Sequence, residues 1–292
     1  MSTPAAPAPA PAMIADRRFQ HYAGTRLGMA YALYALVRHS IGWVLGWKRS
    51  ARYKIVPALM LIAAFLPSVI VVVVAAVVPA NTPGLPTYLD LYAFILPAVY
   101  LFVALTGPEL VCPDRRYGTL RMYVTSNLGA ITYVAAKLVA VWAVLAIVTV
   151  GPVLLQAAGY AFVGRGAGTA ADALKVLAEV AGAGLVLAVF FGTLALAAAS
   201  LTDRNSFASA GIILGFVLTA ATVGILQGAL RAPDWVTLLA VNQVPLELVT
   251  RIYQAPTAHS SLPNWEVAAA TAGWIAFGML VLLLRYRGEG RR

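Results

Sequence analysis

Cysteine and charge are both scarce in this chain of 292 residues. Cys112 is the only cysteine, which excludes an intramolecular disulfide and a metal site built from thiolates. The three histidines, His21, His39 and His259, are far apart and lack the spacing of metal ligands. Charged residues make up only 11% of the chain, whereas a soluble domain carries about 25%. Most of the chain is therefore unsuited to an exposed aqueous surface.

Short catalytic and nucleotide-binding motifs are absent as well. The sequence contains no HExxH, no GxSxG and no cluster of acids within its apolar runs. The stretch 42–48 has two glycines and a lysine, but its tryptophans do not fit the phosphate-binding pattern G-x-x-x-x-G-K-[ST]. We therefore predict that the chain is not an enzyme and that it holds no cofactor or metal of its own.

Apolar residues account for 61% of the chain and are concentrated in long runs. A helix needs about 20 such residues to cross the hydrocarbon core of a bilayer. The runs predict an all-α polytopic membrane protein with six transmembrane helices, at Ile55–Val78, Leu89–Val111, Ile131–Phe162, Val176–Leu201, Phe207–Leu230 and Trp265–Leu284. The third run exceeds one straight crossing and contains Gly151 and Pro152, so it is expected to kink, tilt or project beyond the bilayer.

The basic residues predict the orientation of the chain. Of the 21 lysines and arginines, 17 fall in the N-terminal region, the connections after the second and fourth spans, and the tail. The positive-inside rule then places both termini, the Arg115–Arg116 segment and the Asp203–Arg204 turn in the cytoplasm. This distribution also explains the net charge of +10 without nucleic-acid binding, which we do not expect.

The apolar stretch Leu27–Trp47 allows two interpretations. It carries Arg38 and His39 near its middle, and a cation at the bilayer centre costs about 2.5–3.5 kcal/mol. Its aromatic residues and flanking cations favour an elbow helix in the membrane interface over a seventh span. The predicted organisation is a disordered Pro/Ala-rich tail (1–24), the elbow helix with its basic flank (25–54), a six-span domain (55–285) and a basic tail (286–292).

Two further patterns predict local structure. The outer connection 231–264 has apolar residues at near-helical spacing around Pro245, which predicts one or two short helices followed by a loop. The fifth span contains the small-residue pairs Gly211/Gly215 and Gly224/Gly228, which we expect to permit close helix packing within the subunit.

The charged segment between the second and third spans is the main candidate for function. Pro113 and Asp114 are expected to begin a short helix, because proline and an acid both suit a first turn. A helix over residues 117–125 would place Leu120 and Tyr123 on one side and form a small amphipathic element for a soluble partner. The alternative is a solvated loop held by lipid phosphates through Arg115 and Arg116.

The order of residues in this segment resembles the cytoplasmic coupling segment of permease subunits in type-2 ATP-binding-cassette exporters. The matching residues are Asp114, Arg115, Gly118, Thr119, Leu120 and Lys137. The turn LTDRNSFASAG and the outer stretch LLAVNQVPLEL are similar to two further parts of that family, as is the layout of six spans.

The resemblance implies a multi-pass permease of the bacterial plasma membrane that pairs with a second copy or a paralogue. Separate cytoplasmic ATPase subunits would bind ATP and Mg²⁺ and contact the segment that begins at Asp114. Within it, Arg115, Arg116 and Tyr117 would touch the ATPase, Gly118 and Thr119 would shape the turn, and Leu120 and Tyr123 would pack into its groove.

Other interpretations remain open from the residues themselves. Glu109 lies near the cytoplasmic end of the second span, where it is either a functional acid or an acid that is hydrated or paired with Arg115, Arg116 or Lys137. The chain as a whole is alternatively an ATP-independent transporter or channel, or a membrane sensor or anchor that recruits a soluble partner.

Overall fold

The computed structural model describes residues 28–47, 50–79, 84–119, 129–257 and 259–289, and in these ranges all regular structure is helical. The predicted tail 1–24 lies outside them. The helices are α1 (Met29–Val44), α2 (Ala51–Val77), α3 (Tyr88–Arg116), α4 (Gly129–Thr149), α5 (Gly151–Phe162), α6 (Ala170–Ala199), α7 (Asn205–Gly228), α8 (Val244–Ile252) and α9 (Asn264–Glu289), with a 3-10 helix at Asp234–Leu239.

The six predicted spans are confirmed as six helical segments long and apolar enough to cross a membrane. They are α2, α3, the α4–α5 pair, α6, α7 and α9. In lipid every backbone polar group needs an internal partner, and a helix provides one along its whole length. The chain is therefore an all-α, multi-pass membrane protein.

The six spans form an inner and an outer group. The apolar windows of α3, α4 and α6 are at least half buried inside the protein, whereas those of α2, α7 and α9 are mostly exposed. Helix α6 packs against α3, α4 and α9, so it lies at the centre of the bundle. Its Phe190 and Phe191 are fully buried, and the Phe191 ring lies 5.6 Å from that of Phe216 in α7. Aromatic packing thus joins the outer group to the inner one.

The third span breaks at Gly151 and Pro152, and a kink was one of the three alternatives expected for it. Helix α4 ends at Thr149 and α5 begins at Gly151, with Pro152 in the first turn of α5. A Cβ atom at Gly151 would lie 2.6 Å from the Phe65 ring, so any larger residue would force this ring to move in the contact between α5 and α2.

Helix α1 is too short for a seventh span. Its 16 residues extend about 24 Å, less than the hydrocarbon core of about 30 Å. It packs against α4 and α3 through buried residues that include Leu36 and Val44, while the side chains of Arg38 and His39 are exposed. This arrangement agrees with the predicted elbow helix.

The connection 231–264 contains the predicted short helices. The 3-10 helix Asp234–Leu239 packs on α7, and α8 begins with Pro245 in its first turn and packs on α6 and α9.

The expected packing role of the glycines in α7 is wrong. A Cβ atom built at Gly211, Gly215, Gly224 or Gly228 would have no neighbour within 4 Å among the described parts of the chain, beyond its own helix backbone. The tight glycine contacts are elsewhere: a Cβ atom would lie 2.4 Å from Val150 at Gly184, and 2.3 Å from Val72 at Gly159.

Candidate functional site

The predicted functional segment begins inside a long helix. Pro113, Asp114, Arg115 and Arg116 form the last turn of α3, so the expected start of a new helix at Pro113 and Asp114 is wrong. The two arginines lie at the helix C-terminus, where the helix dipole favours cations. They therefore extend the second span instead of opening a separate element.

The chain leaves α3 through a short turn. Tyr117 caps the helix, and Gly118 adopts a left-handed conformation with φ of 69°, which ends α3 as glycine commonly does. The Thr119 hydroxyl donates to the Asp114 carbonyl oxygen at 3.2 Å. Leu120 and Tyr123 lie outside the described residues.

Asp114 connects the end of α3 to α4. Its Oδ2 atom lies 2.8 Å from the Lys137 Nζ atom and accepts a hydrogen bond of 2.7 Å from the Tyr133 hydroxyl. The side chain of Lys137 is 6% exposed and that of Asp114 is 18% exposed. A largely buried charge needs a partner of opposite sign, and here the Asp114 carboxylate and the Lys137 ammonium are each other's partners. This pair holds the N-terminal half of α4 against the end of α3.

Arg115 connects the same end of α3 to the turn between α6 and α7. Its Nε atom lies 3.0 Å from Asp203 Oδ1, and its guanidinium also donates to the Ser200 carbonyl. Only 9% of its side chain is exposed. The thiol of Cys112, one turn earlier, donates to the carbonyl of Thr202 at 3.5 Å in the same turn. Arg115 is thus a structural anchor, not the surface contact that the resemblance implies.

The surface of the turn is formed by Arg116, Tyr117 and Gly118, which we call the α3 tip. All three residues are exposed, and the Tyr117 side chain is among the most exposed large side chains of the protein. The Arg116 guanidinium lies 5.9 Å from the centre of the Tyr117 ring, within cation–π range. The α3 tip therefore presents a cation and an aromatic ring on a firmly anchored helix end.

Glu109 lies beside this anchor. It lines a cavity of about 200 Å³ between α1, α3 and α4, together with His39, Trp43, Asp114 and Lys137. The Lys137 ammonium, one of the partners considered for Glu109, lies against Asp114. The cavity brings acidic, basic and aromatic groups together at the same end of the bundle as the α3 tip.

A second polar cluster, at the opposite end of the bundle, was not expected from the sequence. Its centre is Arg251, which binds Glu247 at 2.9 Å, Asn264 at 2.9 Å and the Leu262 carbonyl at 2.8 Å. These contacts fasten α8 to the loop before α9 and to the first residue of α9. The sequence signal was the i, i+4 spacing of Glu247 and Arg251 on one helix.

Asp234 belongs to the other half of the second polar cluster. It accepts a hydrogen bond from the Ser261 hydroxyl and lies 3.4 Å from the His259 ring nitrogen. These hydrogen bonds, that of Ser261 first, hold the pKa of Asp234 below its ordinary value. Tyr253, the residue after α8, lies beside Tyr92 of α3, and burial raises its pKa to about 12. Polar contacts of the cluster thus hold the connection between α7 and α9 in place.

Within the described ranges no group of three or more His, Cys, Asp or Glu side chains lies close enough to hold a metal ion. The distinctive feature of this end of the bundle is the anchored α3 tip. No protein-family model matches this chain, and no curated protein matches it either.

Proposed function

We propose that this chain is the membrane-spanning permease subunit of an ATP-binding-cassette exporter, and that the α3 tip contacts a cytoplasmic ATPase subunit. ATP and Mg²⁺ bind to that partner, and a second copy or a paralogue of this chain completes the substrate path. The proposal rests on the order of residues from Asp114 to Lys137 and on the geometry of the helix end that they build.

One observation carries most weight: the α3 tip is exposed, while the residues just before it bind two other elements. Asp114 binds Lys137 of α4, and Arg115 binds Asp203 between α6 and α7. A push on the α3 tip therefore acts on α3, α4 and α6 together, which are the three inner helices. A loop without these anchors would absorb such a push by bending.

The proposal also includes the orientation of the helix bundle in the membrane. The end of the bundle that carries the α3 tip also carries Arg204, Arg285 and Arg287. The positive-inside rule places this end in the cytoplasm of a bacterial cell, where an ATPase has access to it.

The proposal is tested by photo-crosslinking in cells. A benzophenone amino acid replaces Tyr117 in one variant and Phe162 in a control, because Phe162 is 92% exposed and lies at the opposite end of the bundle. We expect the Tyr117 position to crosslink to a P-loop ATPase identified by mass spectrometry, and the Phe162 position to give no such product.

A matched pair of charge reversals links the contact to activity. Arg116→Glu should lower ATP hydrolysis by the purified complex and the recovery of the ATPase with the permease. Arg287→Glu reverses an exposed cation at the same end of the bundle on α9 and should leave both unchanged. A stable complex without ATP turnover would instead indicate a sensor, and transport by the purified chain alone would overturn the proposal.

A further inference from the structure

An apolar cleft opens between the outer helices α7 and α9. Both helices pack on α6, which forms the floor of the cleft through Leu194 and Ala198. The cleft has a volume of about 340 Å³. A methylene group is similar in size to a water molecule, which occupies about 30 Å³ in the liquid, so this space suits roughly ten methylene groups.

Small residues make the cleft. Gly211 and Gly215 line it from α7, Gly278 lines it from α9, and a Cβ atom at either of the two α7 glycines would project into open space. The polar groups of the lining are satisfied within the protein. The Thr219 hydroxyl donates to the Gly215 carbonyl at 2.8 Å, and the Trp274 ring N–H donates to the Leu238 carbonyl at 3.1 Å. The surface offered to an occupant is therefore apolar.

Each of the two helices that flank the cleft is associated with an exposed arginine at the end of the bundle that carries the α3 tip. Arg204 precedes α7 and stands seven residues, roughly 10 Å, from Gly211. Arg285 lies one turn beyond Val281, which lines the cleft on the same face of α9. The Arg285 Nε atom donates to the Ser200 carbonyl at 3.4 Å, next to the cleft residue Leu201. The carboxylate of the neighbouring Asp203 is bound by Arg115, so the positive charge there is only partly offset.

We propose that this cleft binds one acyl chain of an anionic phospholipid whose phosphate lies between Arg204 and Arg285. An apolar cleft open to a bilayer is filled by hydrocarbon, because an empty one would lose van der Waals contacts along its walls. Guanidinium groups bind phosphate through paired N–H donors, which adds a preference for an anionic headgroup. The site thus combines an apolar cleft for the acyl chain with positive charge for the headgroup.

The full-length protein in detergent tests the proposal by native mass spectrometry. It is titrated with phosphatidylglycerol and with phosphatidylcholine of the same acyl chains. We expect tighter binding of phosphatidylglycerol. The double variant Arg204→Gln/Arg285→Gln should weaken that binding by roughly five-fold for each arginine removed, while binding of phosphatidylcholine changes little.

A second variant tests the cleft without changing charge. Gly215→Leu fills the space with a side chain and should lower binding of both lipids. The matched controls are Gly224→Leu, an equally open glycine on α7 outside the cleft, and Arg287→Gln, two residues beyond Arg285 on another face of α9. Both controls should bind lipid like the wild type.

Three results would overturn the proposal. Equal affinity for the two lipids would show that the arginines do not bind the headgroup. Wild-type lipid binding by Gly215→Leu would show that the cleft does not bind the acyl chain. A disulfide between two copies of a Gly215→Cys variant, made in a Cys112→Ala background, would show that a second copy of the chain occupies the cleft.

Discussion

The Nζ atom of Lys137 lies 2.8 Å from the Oδ2 atom of Asp114, and both side chains are largely buried. The lysine is on α4 and the aspartate is in the last turn of α3, so one ion pair joins two consecutive spans where the chain turns between them. The same carboxylate accepts a hydrogen bond from Tyr133. The two partners are unequally exposed, and this makes the pair testable.

Removing Asp114 should destabilise the protein more than removing Lys137. In Asp114→Ala the lysine stays buried without its carboxylate, which costs about 3–5 kcal/mol when a buried pair is broken. In Lys137→Met the carboxylate keeps its hydrogen bonds and is more exposed, so the loss is smaller. The double variant should be more stable than the sum of the two losses implies. Thermal unfolding in detergent measures all three, and strictly additive losses would show that the pair is not coupled.

Arg115 and Arg116 are adjacent in sequence but should behave differently on substitution. Arg115→Ala removes the contacts with Asp203 and Ser200 and should lower stability by about 2 kcal/mol. Arg116→Ala changes an exposed side chain and should stay within about 0.5 kcal/mol of the wild type. Thermal midpoints in detergent compare the two. Equal stability of the variants would contradict the assignment of Arg115 as the anchor.

Two glycines of α6 provide a matched test of helix packing. A Cβ atom at Gly184 would lie 2.4 Å from Val150, so Gly184→Ala should cost about 1–3 kcal/mol by overpacking. At Gly182 a Cβ atom would meet nothing within 4 Å in the described structure, and alanine is the better helix former by roughly 1 kcal/mol. Gly182→Ala should therefore be neutral or slightly stabilising. Unfolding temperatures that rank the two variants in the opposite order would refute this packing.

The spans were predictable because long apolar runs leave few alternatives in lipid. The break at Gly151 and Pro152 was predictable for a similar reason, since proline removes a backbone donor. The end of α3 was placed wrongly because Pro113 and Asp114 suit a first turn equally well. The left-handed conformation of Gly118, which ends the helix, became visible only in the structure.

The anchors of the candidate site were not predictable from the chain order. Asp114 and Lys137 are 23 positions apart, and Arg115 and Asp203 are 88 positions apart, so only the packing of the helices identifies the partners. The division between the anchoring residues and the exposed α3 tip depends on burial, which adjacent arginines do not reveal in sequence. The glycines of α7 could not be assigned a neighbour from the sequence either. The spacing of small residues does not reveal whether another helix or lipid lies against them.

Cysteine labelling should locate the two ends of the bundle. Cys112 is buried and is replaced by serine, and a single cysteine is then placed at Tyr117 or at Phe162. We expect a membrane-impermeant maleimide to label Phe162→Cys in intact cells. Tyr117→Cys should be labelled only after the membrane is opened, because the positive-inside rule, on which the proposal relies, places the basic end of the bundle in the cytoplasm. Labelling of Tyr117→Cys in intact cells would reverse the topology and remove the proposed contact with an ATPase.

The connection between α7 and α9, which contains Asp234, should unfold locally at a higher pH when Ser261 is replaced by alanine. The Ser261 hydroxyl is the main reason that the pKa of Asp234 lies below its ordinary value. A carboxyl with a depressed pKa in the folded state adds stability that is present above its unfolded pKa and is lost as the pH falls through the folded one. In Ser261→Ala the folded pKa moves up towards the ordinary value, so the loss begins at a less acidic pH. Pepsin digestion across the acidic range measures the opening, with the neighbouring exposed Ser260→Ala as the control. Identical cleavage profiles for the two variants would mean that Ser261 does not hold Asp234 in its charged form.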